Sequence, residues 1–130
     1  MCQIHGNENG GILLGSEIKE RHYRINRISE PCILINRSSK YECVRDADKA
    51  NEIIKREFEV SGHKRIYLGE WHTHPESKPI PSFTDISSIR EIFDKSKIVI
   101  EGVFIAIVGV ETIYWGFYNG NYYSIKPIIV

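Results

Sequence analysis

The chain has 130 residues, 42% of them hydrophobic and 26% charged, with 17 basic side chains balanced by 17 acidic ones. Those proportions describe one domain, spanning 1–130, that can bury a core without disulfide staples, and they exclude knottin-like and disordered readings. A formal net charge of zero gives no electrostatic footprint for nucleic acid or anionic lipid, so neither is an expected partner.

In chain order, alternating and apolar runs predict strands over residues 12–16, 23–28 and 33–36. A helix follows in DADKANEIIKREFEV, where Ala47, Ala50, Ile54 and Phe58 form the apolar stripe and Gly62 is the stop. Strands over 66–74, 98–110, 112–118 and 122–125 complete the pattern, with Asn119-Gly120 as a hairpin turn between the last two. Between the first two of these, a second helix starts at Ser82 to Asp85 and runs through Ile86, Ile89 and Phe93, with Ser82 or Thr84 as N-cap. The expected fold class is α/β (α+β), a curved and mostly antiparallel sheet flanked by helices. Cys2, Cys32 and Cys43 are an odd set without C-x-x-C spacing, which fits reduced, packing thiols. The longest uncharged apolar run, residues 102–110, is far shorter than the roughly 20 residues that span a bilayer. The N-terminus shows no signal pattern, so a cytoplasmic protein is expected.

The chemistry is concentrated in YLGEWHTHPESKPIPSFTD, residues 67–85. His72 and His74 sit two apart on an expected strand, so both imidazoles project to one side in chelate geometry. Pro75, Pro79 and Pro81 force an extended loop that delivers Asp85 to a helix start, where it can turn back as a third ligand. Two neutral imidazoles and one carboxylate match a catalytic Zn2+ site whose fourth position is open to water, although Fe2+ or Mn2+ could also occupy it. The competing reading is a buried polar pair satisfied by backbone. A carboxylate outside the coordination shell is still needed as proton carrier, and Glu8, ahead of the glycine-rich strand NGGILLG, is the candidate. Ser82 could donate to an oxyanion, serve as an ordinary N-cap, or do both. Glu70 shares the parity of the two histidines and is a candidate fourth ligand or supporting partner. Trp71 faces the other way and reads as core before substrate platform. His5, His22 and His63 lack ligand spacing, and Arg21, Arg24 and Arg27 read as a solvated strand face.

These residues resemble the JAMM (MPN-plus, Mov34/JAB) metallopeptidases. That family's fingerprint is a glutamate upstream of H-x-H-x(7)-S-x(2)-D, and here His72, His74, Ser82 and Asp85 follow Glu8 with no gap in the spacing. The glutamate also precedes a G-x-h-h-G strand, h being apolar, as Glu8 precedes Gly11 to Gly15. The resemblance implies a JAB1/MPN-like fold with His72, His74 and Asp85 as zinc ligands, Glu8 as general acid/base and Ser82 as oxyanion stabiliser. It further implies hydrolysis of the isopeptide or peptide bond after the C-terminal glycine of a ubiquitin-like protein. The wording GEWHTHPE is most similar to the prokaryotic JAB branch, including the isopeptidases of type II CBASS antiphage operons. The partner implied is then a ubiquitin-like protein or its conjugate, such as a conjugated nucleotide cyclase. A sulfur-carrier processing peptidase and a non-catalytic MPN scaffold are the alternatives. With seven residues ahead of Glu8, the helix that usually leads this fold is expected to be short or missing, and Ile86 to Ile92 lacks the branch's frequent tryptophan.

Overall fold

The computed structural model describes residues 9–34, 44–96 and 98–128. Glu8, Cys2, His5, Cys43 and the end of the third expected strand lie outside the described residues. The elements are β1 (Gly10–Lys19), β2 (His22–Ile28), β3 (Ile33–Leu34), β4 (Val44–Arg45), α1 (Ala47–Val60), β5 (Ile66–Thr73), α2 (Phe83–Lys95), β6 (Val103–Val108), β7 (Ile113–Tyr118) and β8 (Tyr122–Ser124). β3 and β4 pair with each other, and the rest form a six-stranded sheet in the order β2-β1-β5-β6-β7-β8. Every neighbour in that sheet is antiparallel except β5 and β6. A parallel pair needs a crossover, and α2 supplies it. The mixed α+β, mostly antiparallel class is therefore present. Among the described residues, no helix is long and apolar enough to cross a membrane.

Strand register places Ile12, Glu70 and Ile105 side by side, and both helices pack on the face they share. Ala50 and Ile53 of α1 meet Ile12 and Leu14, while Ile89 of α2 meets Ile105 and Ile107. Ile92 and Ile98 touch both clusters and join them into one core. The opposite face buries Leu13, Leu68 and Ala106. There Phe104 packs between Tyr23 and Phe117, with ring centroids 5.8 and 4.6 Å away. Trp71 lies on this second face, half-buried, its indole over Gly11, where any Cβ would collide with the ring.

β5 contains one extra residue. Leu13 pairs with Gly69 and Leu14 with Tyr67, so Leu68 has no counterpart on β1. The bulge resets the alternation and turns Tyr67 to the same face as Glu70, where α1 packs. At Gly69, beside the bulge, a Cβ would overlap the Phe104 carbonyl across the β5–β6 pair. Gly69→Ala is expected to destabilise the fold by about 3 kcal/mol, a loss of roughly 10 °C in thermal midpoint. An unchanged midpoint in a calorimetric scan would contradict this register.

Two expectations are corrected. The buried stripe of α1 is Ala50, Ile53 and Glu57, with Ile54 half-buried and Ala47 and Phe58 exposed. Glu57 is 3% exposed because Arg65, Arg27 and Arg56 approach its carboxylate at 2.8, 3.2 and 3.6 Å. The buried stripe is thus shifted by one position from the expected one, while Arg27, although it reaches Glu57, stays 55% exposed on the solvated arginine face. The strand expected over 98–110 begins only at Val103. Ile98 is apolar because it plugs the core between the helices on the way from α2 to the sheet, not because it pairs.

Candidate metal centre

Backbone contacts at the carboxyl end of β5 fix the site. His72 pairs with Gly10 on one side and Ile107 on the other. The His74 amide donates to Val108 O at 3.0 Å, continuing the ladder beyond Thr73. Thr73 is held twice by Asn9, its amide donating to Asn9 O at 3.0 Å and its Oγ1 accepting from Asn9 N at 2.9 Å. The proline-rich loop that follows is pinned to the β6–β7 turn. Val110 N donates to Glu76 O at 2.7 Å and Thr112 N to Ser77 O at 3.1 Å.

The loop ends in a reciprocal cap on α2. Ser82 Oγ accepts from Asp85 N at 3.1 Å, and Asp85 Oδ2 accepts from Ser82 N at 2.7 Å. Ser82, not Thr84, is therefore the N-cap, and its hydroxyl proton remains available to another acceptor. The same cap holds the Asp85 carboxylate facing β5. Asp85 Oδ1 lies 3.1 Å from His72 Nε2, and Oδ2 lies 3.5 Å from His74 Nε2.

One ligand atom from each of His72, His74 and Asp85 lies within 4.8 Å of the others, and the three residues are 0%, 4% and 1% exposed. Neither Nε2 has a hydrogen-bond partner among the described residues. Two buried, unpartnered ring nitrogens facing a carboxylate are costly unless something else satisfies them. Donors bound at zinc distances of 2.0–2.2 Å stand about 3.4 Å apart in a tetrahedron, which the observed 3.1 and 3.5 Å bracket. The donor set fits a divalent cation. Burial alone would raise the Asp85 carboxyl, but His72, the Ser82 amide and His74 together hold it below the usual carboxylate range.

The neighbours of the group take roles that spacing alone does not assign. Glu76 Oε1 is 3.0 Å from His74 Nδ1, so a proton on Nδ1 donates to it and Nε2 presents its lone pair to the site. The only sequence signal was proximity. Glu76→Ala is expected to weaken metal binding about 10- to 100-fold, with Glu76→Gln retaining most of the affinity because its amide oxygen still accepts. Chelator competition on the purified protein measures both. Glu70, the candidate fourth ligand, is not in the group. Arg45 donates to both of its oxygens, at 2.7 and 3.1 Å, and the Tyr67 hydroxyl donates as well, so its lone pairs are spent away from the histidines. On β7 and β8, the Tyr114 and Tyr122 hydroxyls meet at 2.8 Å. Burial, the bond to Tyr114 and the nearby Asp85 charge push the Tyr122 hydroxyl far above its ordinary range, so it stays neutral. His22 bonds the Glu20 carbonyl and His63 stacks on Phe58.

The family model described as prokaryotic homologs of the JAB domain matches residues 2–118. A CD-NTase/cGAS isopeptidase from Escherichia coli is 42% identical over 84 residues, covering 62% of this chain and 51% of the relative. A CD-NTase/cGAS isopeptidase from Vibrio cholerae is 36% identical over 103 residues, covering 72% of this chain and 60% of the relative. The chain thus spans about half the length of these curated relatives. The solution structure of protein DSY2949 from Desulfitobacterium hafniense superposes with a TM-score of 0.63 at 18% identity, covering 94% of this chain and 77% of that one, a likeness of fold.

Proposed function

The chain belongs to the prokaryotic JAB-domain family, and from that premise we propose that it is a zinc-dependent isopeptidase cutting after the C-terminal glycine of a ubiquitin-like protein. The names of the Escherichia coli and Vibrio cholerae relatives support a nucleotide cyclase of the CD-NTase/cGAS type as the conjugated target. The observation that carries the reading is the buried group itself: two unpartnered Nε2 atoms and a carboxylate converging at 3.1 and 3.5 Å.

In this reading His72, His74 and Asp85 hold the cation, and Glu76 sets the tautomer of His74. When bound, zinc supplies Lewis acidity that makes water a nucleophile near neutral pH and polarises a carbonyl. Glu8 takes one proton from the attacking water and returns it to the leaving amine as the C–N bond breaks. Asn9, its neighbour in sequence, is doubly bonded to Thr73 between the histidines, which supports this role. The Ser82 hydroxyl, accepting from Asp85 N, keeps its proton to donate to the oxyanion. A glycine-ending tail suits the site because a residue without a side chain lets backbone approach closely.

Incubation with ubiquitin-like fusions and lysine conjugates, with and without a chelator, tests the proposal. Cleavage after the glycine that stops with chelator and returns on adding zinc is the expected result. Recovery with Fe2+ or Mn2+ alone would reassign the ion. Cleavage of sulfur-carrier precursors only would change the substrate, and no hydrolysis by metal-loaded protein would leave a scaffold.

A further inference from the structure

The apolar stripe predicted for α1 is wider than the sheet can cover. Ala50 and Ile53 enter the core, but Ala47, Ile54 and Phe58 line an open groove of about 710 Å³ between α1 and the segment after α2. Ile66 and Tyr67 form its floor, and Ile98 and Val99 the far wall, with Val99 71% exposed. From Ala47 to Phe58 the helix offers an apolar track about 16 Å long.

The rim has one sign of charge. Arg45, Lys55, Arg65 and Lys95 line the groove, and among the described residues no acidic side chain does. The carboxylates that balance two of these cations, Glu70 for Arg45 and Glu57 for Arg65, are buried behind the wall at 1% and 3% exposure. Lys95 lies 3.5 Å from Glu91, which is outside the lining, and Lys55 stands exposed on α1. In a chain whose net charge is zero, this concentration of cations around uncovered apolar surface is local.

We infer that the groove docks an acidic protein segment whose apolar side chains rest on Ile54 and Phe58 while its carboxylates meet Lys55 and Lys95. The cation placement selects a peptide over a fatty acid. Arg45 and Arg65, at the two ends of α1, are already held by Glu70 and Glu57, so the cations left for a guest are Lys55 and Lys95, which stand on opposite walls and offer two separate charges. A fatty acid carries charge at one end only. Apolar contact supplies affinity and the rim supplies orientation and encounter rate.

Binding is separable from hydrolysis, so the test uses the full chain with chelator present. The probe is an array of dodecamer peptides in which glutamate, lysine, leucine and serine contents vary independently. The expected selection is for peptides holding both glutamate and leucine. The exposed double variant Lys55→Glu, Lys95→Glu is expected to weaken those peptides on the order of tenfold and to favour their lysine counterparts, while Phe58→Ser weakens both classes. Unchanged thermal midpoints show that the variants fold. Selection for neutral or basic peptides, indifference to the charge reversal, or no selection at all would overturn the inference. So would Lys55-dependent binding of dodecanoate without peptide selection, or a dimer in sedimentation that Phe58→Ser dissolves.

Discussion

Glu8→Gln is expected to bind zinc with wild-type stoichiometry and to cleave a ubiquitin-like fusion about 10²- to 10⁴-fold more slowly. Glutamine keeps the size and shape of glutamate and one acceptor oxygen, but its amide cannot accept and return a proton at neutral pH. Because Glu8 is assigned no part in holding the ion, metal content and thermal midpoint should not move, and the loss should fall on kcat. Single-turnover cleavage alongside metal analysis separates the two. A Glu8→Gln protein that cleaves at the normal rate would remove Glu8 from the chemistry, with Glu76 the next carboxylate to test.

Asp85→Ala is expected to abolish both metal retention and cleavage. Its carboxylate has two tasks, since Oδ2 accepts from the Ser82 amide while Oδ1 faces His72 Nε2. Alanine removes both, so the metal-free variant should also lose about 1 kcal/mol from the broken cap. Asp85→Asn distinguishes the tasks. Its amide oxygen can still accept from Ser82 N, so stability should stay near that of the metal-free parent. The neutral amide is a poor ligand, so the metal should be lost as with alanine. If Asp85→Asn retained one tightly held zinc per chain, the carboxylate would not be a ligand.

How much of this was legible in the sequence depends on the reach of each interaction. His72 and His74 are legible because alternation on a strand is local geometry, and Asp85 because a proline-rich loop ending in Ser82 announces a helix start. The choice of Ser82 over Thr84 as N-cap, with its reciprocal bonds to Asp85, comes from the structure. The α1 face is not legible to that degree. Periodicity finds the stripe of Ala47, Ile54 and Phe58 but cannot foresee that Glu57, met by arginines from β2 and the β5 entry, is buried and shifts the stripe by one position. Glu70 misleads for a related reason: parity places it beside His72, but its partner Arg45 stands 25 residues away, and nothing local pairs them. The Leu68 bulge is invisible to alternation counting, because it is the point at which alternation fails.

Asp85 lies 13 positions after His72, whereas the bond between Asn9 and Thr73 closes a span of 64. Closure entropy grows with the logarithm of span, so gathering His72, His74 and Asp85 costs about 1.4 kcal/mol less than docking the amino-terminal strand. Chain connectivity alone therefore favours bringing His72, His74 and Asp85 together over docking the strand that begins at Gly10, so the loop from β5 to α2 is the cheaper of the two closures.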